Sequence, residues 1–339
     1  MEKQTARDPV FDVMKGIGII LMLIGHIPPG DQVYHFIYSF HMPLFFLIAG
    51  GFAHLEGDPK GLVVKDVNRL LLPVFVTMAF IIVLSPLCFF INGNFNGVIA
   101  QLLSVLWLGD AFNTKWGLVT IDSMWFLMAL FWTKCLFRGI WKLCSRIQKL
   151  HDEIILSICL ALSFVVVLLH GSLTPMPLGI LKGLSAIQFY AIGWYLKNHK
   201  LPKWVYVLFV GCWLLALKFG GVDMVRYYYG CYPLDVVGAI GATFVVYGLS
   251  KMICAYLPKT SMFFQWFGLN SLLILCVNSL DRKTYLVRAI KYVLGLKLPG
   301  NSSVLFHYII EAVLVLTLLS VPVFRRIYGS TRWKEIRSN

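Results

Sequence analysis

The chain is poor in charge, and poorest in negative charge. Only 14% of its residues are Asp, Glu, Lys or Arg, and 16 acidic residues stand against 30 basic ones. Soluble domains carry about a quarter charged residues, so an aqueous globule is excluded. Several catalytic signatures are also missing. There is no GxSxG elbow, no Walker loop and no HExxH pair, which argues against a serine-hydrolase domain, a nucleotide-driven pump and a zinc peptidase. The eight cysteines show neither CxxC nor another metal-ligand spacing, and most fall inside apolar runs. They read as small buried hydrophobes, and no metal is expected. No repeat, low-complexity tract or long linker divides the chain, so residues 1–339 read as a single domain with no appended soluble domain. The first apolar run lacks a small-residue cleavage site and a second run follows at once. It reads as a retained span and not as a signal peptide.

What the chain has is hydrophobic length. Apolar residues make up 58% of it, and a spanning helix needs about 20 of them in a run. Ten spans are predicted, near 11–28, 33–53, 70–91, 123–143, 153–171, 178–197, 203–220, 233–251, 262–280 and 303–324. The runs are continuous, whereas barrel strands would alternate over about ten residues. The expected fold is therefore an all-α integral membrane bundle of about ten transmembrane helices, with the lipid bilayer as its surroundings.

The net charge of +14 would suggest nucleic acid in a soluble protein. Here the basic residues cluster in short connections such as Lys60, Lys65 and Arg69, or Lys197, Lys200 and Lys203, so no nucleic-acid partner is expected. With both termini cytoplasmic, inside segments hold a roughly twofold excess of Lys and Arg over outside ones, as the positive-inside rule asks. One basic stretch, 281–297, falls outside on this topology. Its apolar spacing is helical and amphipathic, which suits an interfacial helix on lipid headgroups, a lid or a site for an anionic glycan, or else a further span that would invert the topology. The outside loop 92–122 is rich in Asn and Asp and includes an apolar patch, Val98–Leu108, too short to span fully.

The chemistry concentrates in the first hairpin, FDVMKGIGIILMLIGHIPPGDQVYHFIYSFHMPLFFLIAGGFA, from Phe11 to Ala53. Ten residues separate Lys15 from His26, so on a helix they share a face about 16 Å apart along the axis. His41 lies in the second run, just before Met42 and Pro43. Ionisable groups at membrane depth are expensive and therefore functional candidates. Histidine suits proton transfer because its unperturbed pKa lies near operating pH. His26 is a candidate general base, His41 a second base or hydrogen-bonding partner, and Lys15 an anion contact or simply the neutral partner of Asp12 three residues earlier. Lys65 and Arg69, one turn apart, could hold a phosphate or anchor the chain to headgroups. Asp122, Trp125 and Glu311 are candidate substrate contacts. Glu311 lies one turn after His307 within an apolar run.

At these residues the chain resembles the integral-membrane acyltransferase-3 family, the O-acetyltransferase type that modifies cell-surface glycans. The likeness rests on FDVMKGIGIILMLIGH, where a basic residue, ten residues and then His match the family, and on YSFHMPLFFLIAGGFA. VKDVNRLLLPVF, MWFLMALFW and FGLNSLLIL are similar to later family segments, so the resemblance runs end to end. Two positions depart from it. Lys15 stands where many members carry Arg, which keeps charge but loses bidentate geometry, and Asn278 stands where His is common.

The resemblance implies transfer of an acyl group, most often acetyl, from cytoplasmic acyl-CoA to a hydroxyl of an extracytoplasmic saccharide, in a bacterial inner or plasma membrane. Lys65 and Arg69 would meet the CoA phosphates. Lys15 would guide the thioester or stabilise its oxyanion, and His26 would act as general base or transient acyl carrier. The alternative is a non-enzymatic exporter of a polysaccharide or lipid-linked glycan. Against it stands the absence of internal repeats or paired broken helices.

Overall fold

Backbone amides in hydrocarbon have no water to bond, so a spanning chain must close its hydrogen bonds within each segment. The computed structural model describes residues 8–26, 30–91, 122–145, 151–169 and 177–331. Helix accounts for 84% of these residues, and a single two-stranded pairing is the only sheet among them. The all-α expectation holds. The loop 92–121 and Pro28–Pro29 of the first turn lie outside the described residues.

In chain order the helices are α1 (Pro9–His26), α2 (Asp31–Tyr38), α3 (His41–Gly51), α4 (Pro59–Asp66), a π-helical turn Val67–Leu71, and α5 (Leu72–Ile91). A 3-10 turn, Asp122–Met124, leads into α6 (Trp125–Cys144), followed by α7 (His151–Leu168), α8 (Ile180–Asn198) and α9 (Lys203–Phe219). Strands β1 (Val222–Asp223) and β2 (Tyr228–Tyr229) pair antiparallel with Val222 opposite Tyr229. Then come α10 (Leu234–Tyr256), α11 (Pro258–Leu269), α12 (Ser271–Thr284), α13 (Leu286–Val293), α14 (Gly300–Ser320) and α15 (Pro322–Tyr328).

Among the described residues, six stretches are long and apolar enough to cross a membrane: Pro9–His26, Asp31–Gly51, Pro59–Leu87, His151–Leu168, Leu234–Tyr256 and Gly300–Ser320. The bent pair α11–α12 makes a seventh if taken as one span. The other three expected spans also form helices, α6, α8 and α9, but α6 and α8 carry basic residues and α9 has only 17 residues. α8 is the clearest case. It packs on α3, α6 and α7 and buries most of its length, including Lys182. A helix shielded by neighbours can carry polar side chains that lipid would penalise.

Glycine sets how closely two of these pairs approach. A Cβ on Gly16 of α1 would sit 2.0 Å from the Phe264 carbonyl oxygen of α11, and one on Gly268 would sit 1.9 Å from that of Asp12. The α3–α8 contact is built the same way, with Gly50 against Tyr190 and Gly193 against Leu47. Lipid supplies no hydrophobic drive between helices, so backbone-to-backbone packing of this kind holds them together. Large apolar side chains such as Val83, Leu168, Val207 and Leu316 lie on the outside, where acyl chains would cover them.

The helix breaks are satisfied locally. Asp58 caps α4, accepting from the backbone N–H groups of Lys60 (3.2 Å) and Gly61 (2.8 Å), with Pro59 at the first helical position. At the 60° bend between α11 and α12, the Asn270 amide donates to the Trp266 carbonyl (2.8 Å) and exchanges bonds with the Thr331 backbone. Cys135, Cys144, Cys159, Cys212, Cys231, Cys254 and Cys276 are free thiols.

The stretch 281–297 divides into the end of α12 and a separate short helix. Asp281, Lys283 and Thr284 complete α12 and are buried, because α12 packs on α5 and on the 3-10 turn before α6. Tyr285, with φ 56°, turns the chain into the amphipathic α13, which buries Val287 and Ala289 and exposes Tyr292 and Val293.

Replacing Gly193 by valine should cost about 1–3 kcal/mol through forced separation of α3 and α8. A lower thermal midpoint in detergent, read by intrinsic fluorescence, is the expected result, and an unchanged midpoint would refute the close-packing role.

Candidate active site

Three helix ends meet around His26. It is the last residue of α1, and its ring is fixed on one side by a short chain of polar contacts. The Glu311 carboxylate of α14 can only accept, so the Asn278 amide of α12 turns its nitrogen toward it, with Nδ2 2.9 Å from Oε1. The Asn278 Oδ1 then faces His26 Nδ1 at 2.7 Å. An amide oxygen is an acceptor, so Nδ1 carries the proton and Nε2 presents its lone pair. That nitrogen lies 3.3 Å from Ser123 Oγ.

Ser123 is held by the 3-10 turn that begins α6. Asp122 has φ 55°, a left-handed conformation that short polar residues tolerate. Its Oδ1 accepts from the Ser123 N–H (2.7 Å) and hydroxyl (3.0 Å). Its Oδ2 accepts from Arg282 Nε at 2.8 Å, and Arg282 Nη1 donates to the His26 carbonyl at 3.1 Å. One guanidinium thus fastens α12 to the start of α6 and to the end of α1. Burial alone would push the Asp122 carboxyl up, but the Arg282 charge and hydrogen bond outweigh it and hold it below its ordinary value.

His26, Asn278 and Arg282 open onto a cavity of about 180 Å³ that Lys291, Ser303 and His307 also line; Ser123, Asp122 and Glu311 stand behind its wall. Lys291 Nζ donates to Ser303 Oγ (2.6 Å), and His307 Nε2 lies 3.2 Å from Asp281 Oδ2 and 3.4 Å from Glu311 Oε1. Polar walls with cationic groups can orient a hydroxyl-bearing ligand and stabilise charge that develops on it. By donor type and spacing, Asp281, His307 and Glu311 could also ligate a divalent ion. As they stand, His307 bridges the two carboxylates, and Asp281 also accepts from the Val287 N–H (2.7 Å).

The structure brings together His26, Asp122 and Glu311 from the sequence candidates, each through an intermediary. It does not bring the others to this cluster. Lys15 is ion-paired with Asp12 at 2.7 Å, about 16 Å down α1. His41 is buried and its Nδ1 donates to the Ile37 carbonyl (2.9 Å), satisfying the end of α2 where the hairpin breaks. Trp125 packs its ring 5.0 Å from Lys182 Nζ, a cation–π contact in the bundle interior.

Lys65 and Arg69 are exposed at a second basic cluster. Beside them the buried Asp66 receives both Lys134 and Arg138, one carboxylate against two cations. His54, in the connection after α3, feels this field. Burial and then the charges of Lys65, Lys134, Lys197 and Arg69 lower its pKa. Lys134 lies about 16 Å along α6 from Ser123 at 1.5 Å per residue.

Asn278, Arg282 and Ser123 escaped the sequence reading. Asn278 stood out only as a departure where His is common. Arg282 lay in the basic stretch whose amphipathic spacing suggested a lid or glycan site, and Ser123 sits between two residues that were singled out. No sequence signal fixes the Nδ1–Asn278–Glu311 chain, because its members come from three distant helices.

A family model described as an acyltransferase domain matches residues 8–325. No curated protein and no solved structure matches the chain.

Asn278→Leu should leave His26 Nδ1–H and Glu311 without their partner. A hydrogen bond of this kind is worth about 1.5–3 kcal/mol, so turnover should fall roughly ten- to hundredfold. Asn278→Gln should recover part of it, and a Leu variant with full turnover would refute the orienting role.

Proposed function

The chain belongs to the acyltransferase-3 family, and on that premise we propose that it moves an acyl group, most often acetyl in this family, from acyl-CoA to a hydroxyl of a saccharide across the membrane. The observation that carries this is the His26 ring. Its Nδ1 proton is committed to Asn278, which leaves the Nε2 lone pair free to accept a proton on the side where Ser123 stands. A base whose far nitrogen is oriented in this way is the arrangement general-base catalysis requires.

In this scheme ten spans place both termini in the cytoplasm of a bacterial cell. The exposed Lys65 and Arg69, with Lys134 and Arg138 behind them, form the cytoplasmic mouth. There the phosphates of CoA meet four cations against the single Asp66. Lys15, paired with Asp12, lies between mouth and cavity on the α1 face and steers the thioester arm. The acceptor sugar enters the cavity from the other side. His26 Nε2 accepts the hydroxyl proton as the oxygen bonds to the acyl carbon, and Arg282 stabilises the oxyanion that forms. Asp122 holds Arg282 in place, Glu311 holds Asn278, and Trp125 supports the start of α6 from within the bundle. His41 keeps the bend of the second span closed against α1.

The general-base role is tested by mass spectrometry of the surface glycan with wild-type protein or His26→Ala as the sole source of the activity. A roughly 10²–10⁴-fold loss of acyl ester is expected; unchanged ester would exclude His26 as the base. The cytoplasmic mouth is tested through His54. A CoA seated among Lys65, Arg69 and Lys134 offsets the charges that hold the His54 pKa down, so that pKa should rise on binding. Histidine chemical shifts followed against pH, with and without CoA, report this directly. An unmoved titration would exclude the assignment.

A further inference from the structure

On the acyltransferase reading above, we propose that Ser123 is the residue that carries the acyl group between donor and acceptor. His26 lines the cavity, while Ser123 stands at its Nε2 outside that lining. One base is therefore within reach both of a covered hydroxyl and of an acceptor entering the cavity.

Ser123 has the surroundings of a nucleophile. Its hydroxyl lies 3.3 Å from His26 Nε2, and the base is oriented from behind by Asn278 and Glu311. Nucleophile, base and orienting group within hydrogen-bond reach are the general signature of covalent catalysis. The residue is 8% exposed, which shields an ester from water. In the resting arrangement the hydroxyl proton points to Asp122 Oδ1 at 3.0 Å. Rotation about the C–O bond redirects it to His26 without moving a heavy atom. Asp122 does not oppose the developing alkoxide with a net charge, because Arg282 neutralises it. The same guanidinium, together with the N-terminal end of α6, offers positive potential to the tetrahedral oxyanion. The left-handed Asp122 holds the serine in this place (φ 55°), a backbone conformation that persists only where surrounding contacts enforce it.

The two half-reactions balance. In the first, Ser123 Oγ bonds to the thioester carbonyl carbon while its proton passes to His26 Nε2. The carbon–sulfur bond breaks, and the proton returns to the sulfur, which leaves as the CoA thiol. In the second, the acceptor hydroxyl gives its proton to Nε2 as its oxygen bonds to the acyl carbon. The bond to Ser123 Oγ breaks and the serine recovers the proton. The sum is acyl-CoA plus alcohol giving ester plus CoA thiol.

The test uses full-length protein in detergent, exposed to acetyl-CoA without saccharide, then digested and examined by peptide mass spectrometry. One acetyl group on the peptide containing Ser123 is expected, absent from Ser123→Ala. Ser123→Cys, close in size, should carry the acetyl as a thioester released by neutral hydroxylamine, which keeps the test open should the alanine variant fail to fold. In cells, glycan acetylation with Ser123→Ala should fall at least a hundredfold. Wild-type acetylation by the alanine variant would overturn the proposal, as would an acetyl group found on His26 instead. So would a wild type that acetylates glycan yet never acquires the group. A wild type that forms no glycan ester at all would instead overturn the activity proposed above, so the two failures are distinct.

Discussion

The structure around the site depends on one guanidinium. Arg282 donates to Asp122 and to the last carbonyl of α1 together, so it closes a junction between α1, α6 and α12 that no apolar contact could specify. The Arg282 side chain stays 38% exposed, so solvent screens the pair and its contribution lies in geometry more than in stability. The clasp also neutralises Asp122 and meets the carbonyl end of α1, where the helix dipole favours a cation. Its position beside His26 places this ion pair at the candidate site.

The bundle around that clasp separates two kinds of packing. Toward lipid the chain shows Val, Leu and Phe, which any sufficiently apolar sequence would supply. Inside, glycine contacts fix the distance between α1 and α11 and between α3 and α8. Buried polar groups fix the rest. Asp66 takes Lys134 and Arg138, Asn270 takes the backbone of Thr331, and His307 takes Asp281 and Glu311. Each of these satisfies a group that hydrocarbon would leave without a partner. α6 links the two polar regions, with Ser123 at its first end and Lys134 and Arg138 about 16–22 Å further along. Its uncommon number of cations for a membrane helix follows from this double duty.

Hydrophobic length and helical period were legible in the sequence, because they are local properties. So were the Lys15–Asp12 pair and the His307–Glu311 pair, which lie three and four residues apart on single helices. His26 was legible as a costly residue at a helix end. The role of its neighbours was not. Asn278 stood out only as a departure where His is common, yet its amide is what assigns the proton to His26 Nδ1. His41 looked equal to His26, and its ring turned out to be committed to the Ile37 carbonyl at the α2–α3 break.

By itself the sequence determined that this chain is a helical membrane protein with its ionisable residues in a few costly places, since burial of long apolar runs and one-turn spacing are properties of short segments. Only the tertiary structure decided which of those residues come together at the candidate site. Residues 26, 123, 278, 282 and 311 meet because α12 touches the end of α1, the turn before α6, and α14. The spacing within any one helix carries no information about that meeting, which buried charge and close backbone packing impose together.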